Sequence, residues 1–167
     1  MKFRGAITKE EYIRLEMGLY YSKPITIIMP IISVGGLIVA MYYVKSVENF
    51  NHLFFMVIMV ACAYLFMVPG MLYSKAKQAW NSMMILHEVV DYEIGPDGIY
   101  AEGLSYASSY TYDKFIKLEE VGKFFLFYSD TLNKVLIPKS GLSSEEVKEL
   151  RGIFRHIEVI KTKKFLK

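Results

Sequence analysis

The chain has 167 residues, of which 53% are hydrophobic and 22% are charged, and its formal net charge is +3. This composition is too apolar for an ordinary soluble domain of the same length. The single cysteine, Cys62, excludes an intramolecular disulfide and a metal site built from several thiolates, and we interpret it as a packing residue.

Residues 1–23 predict a short strand followed by an amphipathic helix. Thr8 and Glu11 have the spacing of a capping box, with Thr8 as the N-cap and Glu11 as its reciprocal partner. The apolar residues of the helix share one face: Tyr12, Leu15 and Leu19. Two interpretations of this helix remain open. It lies on a lipid surface, or it packs against the cytoplasmic domain.

Two long stretches without Asp, Glu, Lys or Arg follow, at 24–44 and 49–74. A helix needs about 20 apolar residues to cross a bilayer. The sequence therefore predicts a transmembrane hairpin over 24–77, with spans at about 24–44 and 53–74. The first stretch is not typical of a cleaved signal peptide, because largely polar residues precede it and no small-residue cleavage site follows it.

Lysine and arginine are distributed unevenly around these stretches. One side of the predicted hairpin carries most of them: Arg4, Lys9, Arg14, Lys23, Lys75 and Lys77. The connection between the spans carries only Lys45. Because such residues accumulate on the cytoplasmic side, we expect a multi-pass protein of the cell (inner) membrane with both termini in the cytoplasm. The spans lack the charged residues that mark an ion path, which argues against a pump or transporter.

Residues 78–167 predict a cytoplasmic domain that begins with about six antiparallel strands. In the first strand, Val90, Tyr92 and Ile94 alternate with polar residues. Pro96-Asp97-Gly98 then predicts a type I turn in which the glycine has a positive φ. Further strands are predicted at 99–104, 105–112, 115–121, 124–128 and 134–138, with a two-residue turn at 122–123.

An amphipathic helix is predicted at the end of this domain. Ser143 and Glu146 have the spacing of a second capping box. One apolar stripe follows: Val147, Leu150, Phe154 and Ile157. A helix of this kind can close the open end of a strongly bent sheet and bury its stripe there.

Four segments resemble the C-terminal domain of YcxB-like bacterial membrane proteins: "YEIGPDGIYAEG", "YTYDKFIKLEE", "KFFLFY" and "VLIPKSGLSSEEVKEL". Two membrane helices and a stretch similar to "FRGAITKEEYIRL" precede that domain in the family, so the resemblance spans nearly the whole chain. It implies an α+β membrane protein in which a transmembrane α-helical hairpin precedes a pleckstrin-homology-like antiparallel β-barrel or sandwich closed by a C-terminal amphipathic helix. Family members often have Trp where Tyr112 stands. The resemblance brings no catalytic residues.

No catalytic, cofactor-binding or metal site is predicted. The string "HEVVD", residues 87–91, is similar to a helical zinc hydrolase motif, but Asp91 stands where a second histidine is needed. His52 and His156 have no evident partners in the sequence. A lipid-modifying enzyme would need a cluster of polar catalytic residues, which the sequence does not offer.

The charges of the domain argue against nucleic-acid binding. Residues 78–160 contain 8 basic and 13 acidic side chains, whereas nucleic-acid binding calls for a basic surface. Lysines at the ends of the domain are candidate contacts with an anionic membrane surface: Lys75, Lys77, Lys161, Lys163, Lys164 and Lys167. A frayed, solvated C-terminal tail is the alternative interpretation.

We therefore expect a non-enzymatic membrane protein that presents an interaction module to the cytoplasm and needs no cofactor. Its expected partners are the lipid bilayer and either a protein segment, added to an exposed sheet edge, or further copies of the chain. Two loops are candidate contact sites: Pro96, Asp97 and Gly98 in one, Asp130 and Asn133 in the other. The alternative function is immunity or resistance against membrane-active peptides or toxins.

Overall fold

The computed structural model describes residues 1–43, 50–130 and 133–165. They contain both helices and strands, so the predicted α+β class is confirmed. The α-helices are α1 (Lys9–Tyr21), α2 (Pro24–Tyr43), α3 (Phe50–Cys62), α4 (Val68–Ser82) and α5 (Ser144–His156), with a π-helical segment, Ala63–Met67, between α3 and α4. The strands are β1 (Lys2–Gly5), β2 (Val90–Ile94), β3 (Gly98–Glu102), β4 (Ala107–Thr111), β5 (Lys117–Val121), β6 (Phe124–Tyr128), β7 (Lys134–Pro138) and β8 (Thr162–Lys164).

The chain divides into two compact units. Residues 1–11 and 82–167 form the first, which we call the sheet domain, and residues 12–81 form the second, the helical unit. The N-terminal strand belongs to the sheet domain because β1 pairs with β2. The N-terminal amino group also donates a hydrogen bond of 2.6 Å to the carbonyl of Ile94.

The strands of the sheet domain form two four-stranded sheets, with the orders β1-β2-β3-β4 and β7-β6-β5-β8. The barrel form of the predicted fold is wrong, because neither sheet closes on itself within the described residues. A 3-10 turn at Tyr112–Lys114 redirects the chain between β4 and β5, so these consecutive strands lie in different sheets. The strand β8 was not predicted, and it pairs with β5 in parallel.

Both sheets and α5 contribute to one hydrophobic core. The ring of Phe154 on α5 lies 5.1 Å from the ring of Phe125 and 5.0 Å from that of Phe127, both on β6. Edge-to-face contacts of this kind add to the free energy gained by burying apolar area. The predicted stripe of α5 is confirmed at Leu150, Phe154 and Ile157, which are buried.

Several local predictions are confirmed. Thr8 and Glu11 exchange the two hydrogen bonds of a capping box, both of 3.3 Å, and Ser143 and Glu146 form the second box. Gly122 has a φ of +53° in the two-residue turn between β5 and β6, where a residue without Cβ is favoured.

The predicted positive φ of Gly98 is wrong. The positive-φ glycines among the described residues are Gly122 and Gly141. Gly98 is instead the first residue of β3, opposite Thr111. A Cβ at this position would lie 2.2 Å from the backbone oxygen of Tyr110, so glycine is required for close approach of β4 rather than for an unusual backbone conformation.

In the helical unit, the apolar face of α1 is covered by protein. Tyr12, Ile13 and Leu15 are buried, and the Tyr12 ring lies 5.8 Å from that of Trp80 on α4. Of the predicted turn at 45–52, only residues 50–52 are described, and they belong to α3.

The helices α2 and α3 carry large apolar side chains on their exposed surfaces, among them Ile31, Ile38 and Phe55. No single described helix is long and apolar enough to cross a membrane. Lys9–Tyr21 and Pro24–Gly36, which meet at a bend of 69°, pass that test as a pair, by length and composition alone.

Candidate functional site

The strand β4 forms one edge of its sheet, and its backbone groups alternate between β3 and the open side. The Tyr112 N–H donates to the carbonyl of Asp97, and the Gly103 N–H donates to the carbonyl of Tyr106, at the two ends of the β3–β4 ladder. Because hydrogen-bonded and non-hydrogen-bonded pairs alternate in an antiparallel ladder, the N–H and C=O groups of three residues face away from β3. These residues are Ala107, Ser109 and Thr111.

Within the part of the chain that the structure describes, the β4 edge lacks the features that usually protect an exposed strand. Natural edges are blunted by lysine, proline, bulges or a covering segment. Residues 104–112 contain no charged residue, no proline and no glycine. Leu104, immediately before the strand, is 95% exposed. We call residues 107–111 and their outward backbone groups the β4 edge.

Glu88 fixes the loop that enters β4. Its carboxylate accepts hydrogen bonds from the Ser105 N–H, at 3.0 Å, and from the Ser105 hydroxyl. These hydrogen bonds hold the pKa of Glu88 below its ordinary value. A Cβ at Gly103 would lie 2.6 Å from Oε2 of Glu88, so a larger residue there would displace this carboxylate. The N-terminal end of the β4 edge is therefore preorganised.

Tyr112 fixes the other end of the edge. Its hydroxyl donates a hydrogen bond of 3.0 Å to the carbonyl of Gly95, in the turn between β2 and β3. Its ring lies 6.3 Å from that of Phe127 in the core. Burial, together with the nearby charge of Asp97, raises the pKa of Tyr112 to about 12, so the hydroxyl remains a donor at neutral pH.

The two predicted contact loops connect strands of different sheets. Pro96 and Asp97 are exposed in the β2–β3 turn, and Gly98 begins β3. Asp130 and Asn133 are exposed between β6 and β7, and the Asp130 carboxylate accepts hydrogen bonds of 2.8 and 2.7 Å from the backbone and side-chain nitrogens of Asn133. The second loop is thus ordered within its own hairpin, whereas the first also accepts hydrogen bonds from Tyr112, the residue after β4.

The candidate membrane-contact lysines have different surroundings. Lys75 and Lys77 are exposed on α4, and Lys161 and Lys164 are exposed beside or within β8. Lys163 donates a hydrogen bond of 2.8 Å to the carbonyl of Arg155. Residues 162–164 form a strand, so the interpretation of this part as a frayed tail is wrong.

The guanidinium of Arg155 lies over the ring of Phe165, which packs against the core of the sheet domain. Lys167, the last of the candidate lysines, is outside the described residues.

A buried ion cluster links β5, α5 and Lys139, the residue after β7, and we call it the Glu120 cluster. The Glu120 side chain is 0% exposed and accepts hydrogen bonds from Arg151 and Lys139. Desolvation raises the pKa of Glu120, but these hydrogen bonds outweigh it and hold the pKa below its ordinary value. Lys139 also donates to the carbonyl of Gly122, at 2.7 Å. A satisfied network of this kind fixes the helix on the sheet.

Sequence reasoning missed Glu88 and Glu120 as structural residues. A signal for Glu120 was present, because it lies two residues after Leu118 and alternation places both on the core face of β5. Glu88 had no comparable signal, since its partner Ser105 lies 17 residues away. Asp91, in the same string "HEVVD", accepts a hydrogen bond of 2.8 Å from Nε of Arg4. In the described ranges no group of three or more His, Cys, Asp or Glu residues could hold a metal ion.

Comparison of the chain with protein-family models, with curated proteins and with solved structures finds no match. The resemblance to YcxB-like proteins therefore stays a prediction. The functional interpretation depends on the geometry of the sheet domain and on the apolar surface of the helical unit.

Proposed function

We propose that this chain is a non-enzymatic integral protein of the bacterial cytoplasmic membrane. In this proposal the helical unit is the anchor, and the sheet domain is a pleckstrin-homology-like interaction module on the cytoplasmic side. The β4 edge receives the partner by strand addition. The observation that carries the proposal is this edge, which is uncharged, open and held at both ends.

Two features of the helical unit support membrane anchoring. Residues 24–43 contain no charged side chain, and their isoleucines and valines are largely exposed rather than packed inside. Phe66 in the π-helical segment is 74% exposed. A helix that is apolar around most of its circumference is buried in a protein core or lies in a membrane, and the exposure of these side chains favours the second alternative.

The pleckstrin-homology-like assignment is supported by the order of elements in the sheet domain. Six antiparallel strands between residues 90 and 138 form parts of two sheets, and the amphipathic helix α5 then packs on their common core. Fold alone does not imply function. The proposed role as an interaction module therefore depends on the β4 edge and not on the fold assignment.

Strand addition explains why an ordered but uncharged edge is useful. Main-chain hydrogen bonds to the added strand supply affinity, and side chains on alternate positions supply specificity. The outward N–H and C=O groups of β4 are already fixed by Glu88 at one end and by Tyr112 at the other. Binding therefore costs little additional conformational entropy on this side of the interface.

Replacing Ser109 tests this function directly. The substitution Ser109→Pro removes an outward N–H but no hydrogen bond to β3, so the domain should remain folded. Ser109→Ala is the matched control, because it keeps the N–H. In cross-linked pull-downs from native membranes, we expect Ser109→Pro to lose proteins that the wild type and Ser109→Ala retain. Equal capture by all three variants would reject the β4 edge as the binding element.

A further inference from the structure

The four sheet edges of the sheet domain differ in how open they are. At β1, the Ala6 N–H donates to the Ser140 hydroxyl at 3.2 Å, and that hydroxyl donates to the Ala6 carbonyl at 2.6 Å. A Cβ at Gly141 would lie 2.3 Å from the Arg4 carbonyl oxygen, so the segment after β7 runs closely along this edge. The edge of β1 is therefore covered at its C-terminal end, from Arg4 to Ala6.

The other two edges carry protective residues. The strand β7 ends in Pro138, and the carbonyl of Leu136 accepts a hydrogen bond from the Tyr92 hydroxyl. The strand β8 contains Lys163 and Lys164. Pairing β8 with an identical strand would bring like charges together, which is unfavourable. The β4 edge is the edge without these features among the described strands.

We propose that the partner added to the β4 edge is the β4 edge of a second copy of this chain. This inference deepens the proposed function, on which it rests, by naming the partner. The two strands are antiparallel, with Ser109 opposite Ser109 of the second copy. The two sheets then join into one continuous sheet across a twofold axis, which is the commonest symmetry of homodimers.

The register follows from the alternation of the ladder. With Ser109 on the twofold axis, Ala107 lies opposite Thr111 of the second copy and Thr111 lies opposite its Ala107. These are the residues whose N–H and C=O groups face the open side. Each of the outward groups therefore obtains a partner in this one arrangement. A shift by one residue would place them opposite residues whose groups point away.

Side-chain chemistry favours the same register. Ser108 and Tyr110 lie on the half-buried face of β4, where Tyr110 packs near Phe115 at 6.0 Å between rings. In the dimer each Tyr110 lies opposite Ser108 of the second copy, so a large side chain meets a small one. No like charges become neighbours across the axis, because β4 has none. Attachment of both copies to one membrane would also raise their effective concentration.

Disulfide trapping of the full-length protein in its native membrane tests the dimer. The background variant is Cys62→Ala, which removes the only cysteine. Ser109→Cys places two thiols across the axis, at a Cα separation of about 5.5 Å, which suits a disulfide. Tyr100→Cys is the matched control, because Tyr100 is exposed on β3 directly beside Ser109. In the dimer, the Cα atoms of the two cysteines introduced at position 100 would be about 14 Å apart, because three strand spacings separate them.

We expect mild oxidation to give about tenfold more disulfide-linked dimer with Ser109→Cys than with Tyr100→Cys. Adding Ala107→Pro to Ser109→Cys should reduce this dimer, because proline removes the N–H that meets Thr111 of the second copy. Equal, background-level dimer from both cysteine variants would overturn the self-pairing. If Ser109→Pro still lost a captured protein in that case, the edge would bind a different strand and the proposed function would survive. If Ser109→Pro lost no captured protein either, both the self-pairing and the proposed function of the β4 edge would be rejected.

Discussion

Arg151 on α5 donates two hydrogen bonds to Glu120 on β5, of 2.8 Å from Nε and 2.6 Å from Nη2. This paired geometry joins the C-terminal helix to the sheet through a carboxylate that has no contact with solvent. Paired contacts between guanidinium and carboxylate are stronger and more directional than single neutral hydrogen bonds. The interaction therefore fixes the position of α5 over the core.

Removing the carboxylate should destabilise the sheet domain. Glu120→Ala leaves Arg151 and Lys139 without their buried counter-charge, and we expect a loss of about 3 kcal/mol in the free energy of unfolding. The matched control is Glu119→Ala, because Glu119 is the neighbouring carboxylate and its ion pair with Lys117 is more exposed. That variant should lose less than about 1 kcal/mol. Chemical unfolding in detergent measures both values, and similar losses would contradict the structural role of the cluster.

The same cluster predicts a dependence of stability on pH. Because the pKa of folded Glu120 lies below its ordinary value, the stabilisation is present above the unfolded-state pKa of about 4.3 and is lost as the pH falls through the folded-state pKa. The melting temperature of the wild type should exceed that of Glu120→Gln at pH 7, and the difference should shrink in acid. Other titrating carboxylates are common to both proteins and cancel. A difference that stays constant down to pH 3 would argue against the linkage.

Two glycines should respond to alanine in opposite directions. At Gly98 the new Cβ would lie 2.2 Å from the Tyr110 carbonyl, whereas at Gly152 in α5 nothing lies within 4 Å. Gly98→Ala should cost about 1–3 kcal/mol, as in other overpacked sites, and Gly152→Ala should add about 1 kcal/mol through helix propensity. Thermal unfolding of the two variants gives the comparison. Stabilisation by Gly98→Ala would mean that β4 does not approach β3 so closely.

Glu88 should control the order of the loop before β4. In Glu88→Gln the charge-assisted hydrogen bonds to Ser105 become weaker, so the Ser105 amide should exchange with solvent several-fold faster. Glu102→Gln is the control, because Glu102 is exposed on β3 and its hydrogen-bond donor is the Tyr100 hydroxyl. Hydrogen exchange read by mass spectrometry distinguishes them. Unchanged exchange of the Ser105 amide in the Glu88 variant would contradict the claim that Glu88 preorganises the β4 edge.

Much of the sheet domain was predictable because its signals are local. Capping boxes and two-residue turns depend on residues a few positions apart, and the structure contains those at Thr8, Ser143 and Gly122. Alternation also located β2, where Val90, Tyr92 and Ile94 are buried.

The remaining features depend on long-range contacts, which a single sequence does not encode locally. The strand β8 exists because Thr162–Lys164 meets β5, about 45 positions earlier in the chain. The role of Gly98 depends on the approach of Tyr110, and the turn preference suggested a different reason for the same glycine. The open β4 edge likewise required the sheet order, because edge position is not visible from the strand alone.

Cysteine accessibility in intact cells is the most direct test of a membrane protein that presents its sheet domain to the cytoplasm. In a Cys62→Ala background, Asn51→Cys lies near the connection between α2 and α3, and Asp130→Cys lies in an exposed loop of the sheet domain. An impermeant thiol reagent should label Asn51→Cys on intact cells and Asp130→Cys only after the membrane is opened. Labelling of Asp130→Cys alone on intact cells would contradict the proposed orientation, and recovery of the full-length chain as a monodisperse protein without detergent would contradict membrane anchoring itself.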